Sequence, residues 1–256
     1  MDGSGNVFVT GSSAGAGSGL DYVTIKYDSN GALTWWTRYN GPGNGDDIPV
    51  ALALDNWGNV YVTGSSLGLG SEFDYATIRY NFDGGTQWMV RYNGPANSTD
   101  KPTALVLDGA GNVHVTGSSL GMGSVLDYAT VKYKNSNGAV LWVARYNGPA
   151  NNDDAANTLA LDNSGNAYVT GASLGLGTLT DYATVKYNVM GVPQWVRRFN
   201  GSANAGDSAV GIAVNSMSGN IYVTGTSIGV GTAEDIVTLK YNANSNLIST
   251  RRFNGP

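Results

Sequence analysis

Charged side chains return along this chain at fixed intervals, and that spacing decides which chemistry to weigh first. Asp21, Asp74, Asp127, Asp181 and Asp235 recur, each followed five residues later by Lys26, Arg79, Lys132, Lys186 or Lys240. Arg38, Arg91, Arg145, Arg198 and Arg252 form a second column, and Asp47, Asp100, Asp154 and Asp207 a third. Such columns could line the mouth of a channel with charge. The preferred reading is structural: Asp and Arg pair within or between sheets through charge-assisted hydrogen bonds that fix register. A site that does chemistry is usually unique, whereas a scaffold bond recurs. A hydrolase using two carboxylates is the weakest alternative, resting only on the presence of 19 acidic residues that loops could bring together.

A second recurring group is Asp-x-x-Gly-Asn, which starts at Asp2, Asp55, Asp108 and Asp162, with Asn215 opening a fifth copy. Clustered Asp and Asn oxygens suit calcium. Each turn offers one carboxylate, however, and the fifth copy has Asn215 in its place and an inserted residue. The pattern therefore predicts hairpin turns in which Asp or Asn binds local backbone and Gly58, Gly111 or Gly165 takes positive φ. The Gly-rich stretches 15–19 and 68–70 look like phosphate loops but join two strands, whereas a phosphate loop opens a helix. His114 is the single histidine and takes the place of Tyr61, Tyr168 and Tyr222, which makes it a Tyr substitute. With no Cys and no second His, the familiar zinc and triad arrangements are missing, and no metal or other cofactor is expected.

Aromatic and apolar residues supply the binding candidates. Trp35, Trp88, Trp142 and Trp195 repeat, with Ser249 breaking the series. A ring of indoles could make a multivalent lectin, but a repeating strand Trp is better read as packing between sheets. Trp36 and Trp57 do not repeat, and as unique aromatics on or beside turns they are ligand candidates. The pairs Leu67/Leu69, Leu120/Met122, Leu174/Leu176 and Ile228/Val230 sit among glycines, where the first unit has Ala14/Ala16. If exposed they form an apolar patch for a partner; folding back to cap the core is preferred. The stretches just after them, 71–73, 124–126, 178–180 and 232–234, vary from unit to unit, as binding loops on a fixed scaffold do.

These residues must be positioned by strands. The Asp turns start 53, 53, 54 and 53 residues apart, a period that holds several short strands. In one unit the strands fall at 50–54, 59–63, 74–80 and 86–92, with a Gly-rich loop over 64–73. Gly, Asn or Pro interrupts every window before a helical stripe develops. Neither face of these strands is plainly polar, so the sheets are expected to be sandwiched between neighbours. The prediction is an all-β chain: a β-propeller of five four-stranded antiparallel meander blades, the first lacking its inner strand. A β-solenoid is the runner-up. The repeats span roughly 2–54, 55–107, 108–161, 162–214 and 215–256 of one repeat domain. The missing inner strand leaves three readings: a piece of a longer array, which is preferred, an imperfectly closed ring, or a strand supplied by another chain.

Composition narrows the partners. Charged residues are 13% of the chain against a usual ~25%, and net charge is −5 without a basic block. No nucleic-acid or anionic-membrane surface is therefore expected. No apolar run approaches the ~20 residues of a membrane helix, and the start Met1-Asp-Gly-Ser-Gly does not read as a signal peptide.

Asp-Tyr-Ala-Thr-Val-Lys-Tyr (127–133 and 181–187), Trp-Val-x-Arg-Tyr-Asn-Gly-Pro (142–149) and Gly-Asn-x-Tyr-Val-Thr-Gly (165–171) resemble the bacterial β-propeller repeat family called SBBP. The resemblance recurs in every unit, although five units stand where the family's presumed propeller has seven blades. It implies a large secreted or surface-anchored protein with a scaffold or adhesive role, and it brings no catalytic residues. The functional expectation is a non-enzymatic extracellular or cell-surface scaffold that assembles with other copies of itself or other extracellular proteins. A lectin-like module using the loop aromatics on glycans is the alternative.

Overall fold

The structure, a computed structural model, describes residues 1–255. All regular structure among them is strand, arranged as five antiparallel sheets. The first sheet holds β1 (Val7–Ala14), β2 (Leu20–Tyr27) and β3 (Leu33–Tyr39). The second holds β4 (Asp47–Leu54), β5 (Val60–Leu67), β6 (Phe73–Tyr80) and β7 (Thr86–Tyr92). The third holds β8 (Asp100–Leu107), β9 (Val113–Leu120), β10 (Leu126–Tyr133) and β11 (Val140–Tyr146). The fourth holds β12 (Asp154–Leu161), β13 (Ala167–Leu174), β14 (Thr180–Tyr187) and β15 (Pro193–Phe199). The fifth holds β16 (Asp207–Val214), β17 (Ile221–Ile228), β18 (Glu234–Tyr241) and β19 (Leu247–Phe253). Within each sheet every strand pairs with the next in sequence, and the first sheet has three strands, as its missing inner strand predicts.

Contacts divide the chain into two compact units. One comprises Met1–Val115 with Lys132–Val140, the other Thr116–Val131 with the residues from Leu141 onward. Within the first, Phe8 and Tyr22 of one sheet pack on Val60, Val62, Ala76, Ile78 and Tyr80 of the next. Within the second, Tyr168 and Tyr182 pack on Ile221, Val223, Val237 and Leu239 in the same way. Alternate residues of a strand face opposite neighbours. Val60 and Val62 serve the preceding sheet, while the Tyr61 hydroxyl reaches forward to Asn135 Oδ1 at 2.7 Å. That double duty is why neither face reads as polar. A threonine pair ties the two central strands of every sheet: Thr63–Thr77, Thr116–Thr130 and Thr170–Thr184 each meet at 2.9 Å.

Strand limits differ from expectation in one instructive way. The second strand of a unit runs on through Gly64 to Leu67, so the loop covers only 68–72, and the inner strand begins at Asp47 rather than at 50. Gly64 lies where β4 shifts register between Pro49 and Ala51. A Cβ there would come 2.1 Å from the Ile48 carbonyl oxygen. Glycine is used here for close approach of two strands, not to break one. Trp36 is likewise not beside a turn: it lies within β3, opposite Ile25.

Candidate functional site

The Asp21, Arg38 and Asp47 columns gather at one end of each sheet, while the Lys26 column lies toward the other, where Lys132 meets the Asp108 turn. Arg91, near the end of β7, crosses to β6 and β5. Its Nη2 donates to Asp74 Oδ2 at 2.8 Å and to the Ser66 carbonyl at 2.7 Å, and Nη1 donates to the Tyr39 hydroxyl at 3.0 Å. Burial alone would lower the Arg91 pKa, but the bonds to Asp74 and Tyr39 outweigh it and hold the guanidinium charged. The same pair closes in every sheet: Arg38–Asp21 at 2.7 Å, Arg145–Asp127 and Arg198–Asp181 at 2.8 Å, and Arg252–Asp235 at 2.6 Å. Asp47 is buried at the start of β4, and its Oδ2 accepts the Gly41 N–H at 2.6 Å. Burial raises its carboxyl pKa, and that of Asp154. Every one of these carboxylates is thus engaged in fold-specific bonds.

The apolar loop pairs split. Leu67, Leu120, Leu174 and Ile228 are the last residues of their strands and half-buried, Leu67 lying over Gly43 and Gly45. Leu69 in the first unit, and Met122, Leu176 and Val230 in the second, stand out in solvent.

The opposite sheet ends carry the Asp turns. Asp55 Oδ1 accepts the Trp57 and Asn59 N–H groups at 2.9 Å each, Oδ2 accepts the Asn59 amide and the Tyr61 hydroxyl, and Gly58 has φ +78°. The turn is therefore self-contained, with the carboxylate bound to its own backbone. Among the described residues no group of three His, Cys, Asp or Glu side chains converges as metal ligands would. At the third copy, Asp108 meets Lys132 Nζ at 2.9 Å and lies 3.6 Å from His114 Nε2. Burial would raise the Asp108 pKa, but bonds from His114, Lys132 and Asn112 hold it well below the carboxylate range. Burial lowers the His114 pKa against the opposing bond to Asp108.

The tryptophans separate by partner. Trp35 Nε1 donates to the Phe82 carbonyl of the next sheet at 3.0 Å, Trp88 Nε1 to the Asn135 carbonyl at 2.7 Å, and Trp142 Nε1 to the Val189 carbonyl at 3.1 Å. These indoles pack sheet on sheet. Trp57 is 74% exposed at the tip of its turn and makes no such bond among the described residues. It borders a cavity of about 570 Å³ whose walls include Phe82, Lys26, Asn56 and Ser4. Trp57 also borders a second cavity of about 240 Å³ toward the Asp108 turn. Trp36 is exposed but lines neither cavity. Phe82 was missed by reading the sequence. The signal that singled out Trp57 also marks it, since the sister turns carry Ser29, Asn135, Val189 and Ala243 in its place.

Residues 36–70 match the family model SBBP, described as a beta-propeller repeat. The chain matches no curated protein. In structure it is similar to a europium-containing methanol dehydrogenase, with TM-score 0.56, 11% identity, and 98% of this chain and 61% of that one covered. It is also similar to an α-L-arabinofuranosidase from Clostridium thermocellum, with TM-score 0.44, 12% identity and 97% and 90% covered. A further match is Drosophila plexin A in complex with semaphorin 1b, with TM-score 0.45, 9% identity and 94% and 54% covered. The chain spans about three-fifths of the length of the dehydrogenase. At 11% identity the likeness to the dehydrogenase shows the fold, a β-propeller, and nothing of activity.

Proposed function

We propose that this array of SBBP-type propeller repeats is a non-enzymatic extracellular or cell-surface scaffold that assembles with further copies of itself. The observation that carries this reading is a pair of uncovered sheet faces. Val60 and Val62 are fully buried against the preceding sheet, whereas their counterparts Val7 and Val9 in β1 are 40% and 47% exposed. At the other end of the chain, Ile236 in β18 occupies the place of the fully buried Tyr75 and is 54% exposed. The two faces are the two halves of the contact that Phe8 and Tyr22 make with Val60 and Val62. Burying such side chains contributes roughly 1.5–3 kcal/mol each. The engagement of the repeating carboxylates in fold bonds supports a role without catalysis.

Light scattering over a concentration series tests the reading. The expected result is a mass above 26.6 kDa that rises with concentration and falls to that of one chain in both Val9→Asp and Ile236→Asp. A chain that stays at the single-chain mass throughout, or variants that assemble like the parent, would overturn it.

A further inference from the structure

We infer that the cleft between the Asp2 and Asp55 turns is a binding site for a neutral oligosaccharide. The cleft does not depend on assembly, because it is built entirely from the first two sheets and their turns. Its walls are two exposed aromatic rings, Trp57 and Phe82, the latter 55% exposed. Apolar rings kept in solvent at a cavity mouth offer stacking surfaces for a ligand with apolar faces.

The scaffold holds the two rings in place. The Phe82 carbonyl accepts hydrogen bonds from Trp35 Nε1 at 3.0 Å and from Lys26 Nζ at 3.3 Å. The Trp57 N–H is fixed by Asp55 Oδ1 at 2.9 Å. The two turns are neighbours, since a Cβ at Gly58 would sit 3.7 Å from Phe82 Cβ. The Asn56 amide, the Ser4 hydroxyl and the Trp57 indole N–H have no hydrogen-bond partner among the described residues, so both donors and an amide acceptor remain for a ligand.

Charge selects the ligand class. The wall carries both signs of charge, and each is already bonded within the scaffold: Asp2 to the Ser4 and Asn6 N–H groups, Asp55 to those of Trp57 and Asn59, and Lys26 to the Phe82 carbonyl, so neither a cation nor an anion meets a field of one sign. What fits such a wall is an uncharged ligand with C–H faces for the rings and hydroxyls for the amide: a pyranose. Because Trp57 borders a cavity on either side of its turn, a chain of several sugar rings can pass along it. No other turn of the repeat carries an aromatic pair, since the equivalents of Trp57 are Ser4, Ala110, Ser164 and Met217.

The test is titration of the intact chain with cellohexaose, xylohexaose and mannohexaose to millimolar concentration, followed by calorimetry and tryptophan fluorescence. At least one probe should bind saturably. Trp57→Ala should weaken that binding by about tenfold and Phe82→Ala by about fivefold, in line with one lost ring contact each. Trp57→Phe should retain most of it, and Trp36→Ala should leave it unchanged. Near-ultraviolet circular dichroism of each variant reports whether the fold survives. Absence of saturable binding by all three probes, or parental affinity in a folded Trp57→Ala, would overturn the inference.

Discussion

The first and second sheets carry almost the same strand in different surroundings. β1 reads Val-Phe-Val-Thr-Gly-Ser-Ser from Val7, and β5 reads Val-Tyr-Val-Thr-Gly-Ser-Ser from Val60. In β5 the valines are buried, and a Cβ on Gly64 would strike the backbone of β4. In β1 the valines are exposed, and a Cβ on Gly11 would have nothing within 4 Å. A repeated residue thus records the partner it is built to meet, whether or not that partner is beside it. The same motif is structural in one sheet and an open surface in the other.

The sharpest way to break this comparison is at the glycines. Gly64→Ala should cost about 3 kcal/mol or more, because the clash is with backbone that cannot turn aside. Gly11→Ala should be neutral within ~0.5 kcal/mol. Urea denaturation of the two variants measures both; equal losses would erase the distinction. Next in size is Arg91→Ala, which strands Asp74 beside a buried edge and should cost about 3 kcal/mol. The more exposed Arg38→Ala should cost clearly less in the same measurement.

The comparison extends to β9, where His114 stands in for Tyr61. Its pKa is lowered in the folded chain, so the unfolded state takes up a proton that the folded state refuses. That stability is present above about pH 6.5 and is lost as pH falls from there, at up to about 1.4 kcal/mol per pH unit. His114→Tyr should flatten the stability profile between pH 7 and 5. Subtracting the two profiles cancels Asp47 and Asp154, whose raised pKa values act in the opposite sense. Smallest of all, Trp57→Ala should leave the unfolding midpoint unchanged within error, since an exposed turn tip holds nothing together.

Periodicity makes the sheets legible in the sequence itself. The Asp turns, the central threonine and aromatic strands and the recurring Trp each have a local or repeating cause, and repetition marked them as scaffold. Gly64 misled because a glycine after Val-Thr reads as a strand end, while its true cause is a partner strand 15 residues earlier. Trp57 stood out as unique, but its cleft did not. That cleft depends on Phe82, which sits two strands further along the chain, and on Lys26 from the preceding repeat. Juxtapositions of that kind come from stacking one sheet on another, which a single unit's sequence does not contain. The exposure of β1 and β18 was hidden for the same reason.

The short connections also govern how such a chain finds its structure. β5 and β6 are joined by residues 68–72 and β6 and β7 by 81–85, so each pairing closes a loop of only a few residues. A strand from another repeat matches β6 almost equally well in side chains but must close a loop of some fifty residues, at a higher entropic cost. Local contacts also form fastest. The connections therefore act as a proofreading device for near-identical strands, letting each sheet choose its own neighbours before any distant copy can compete.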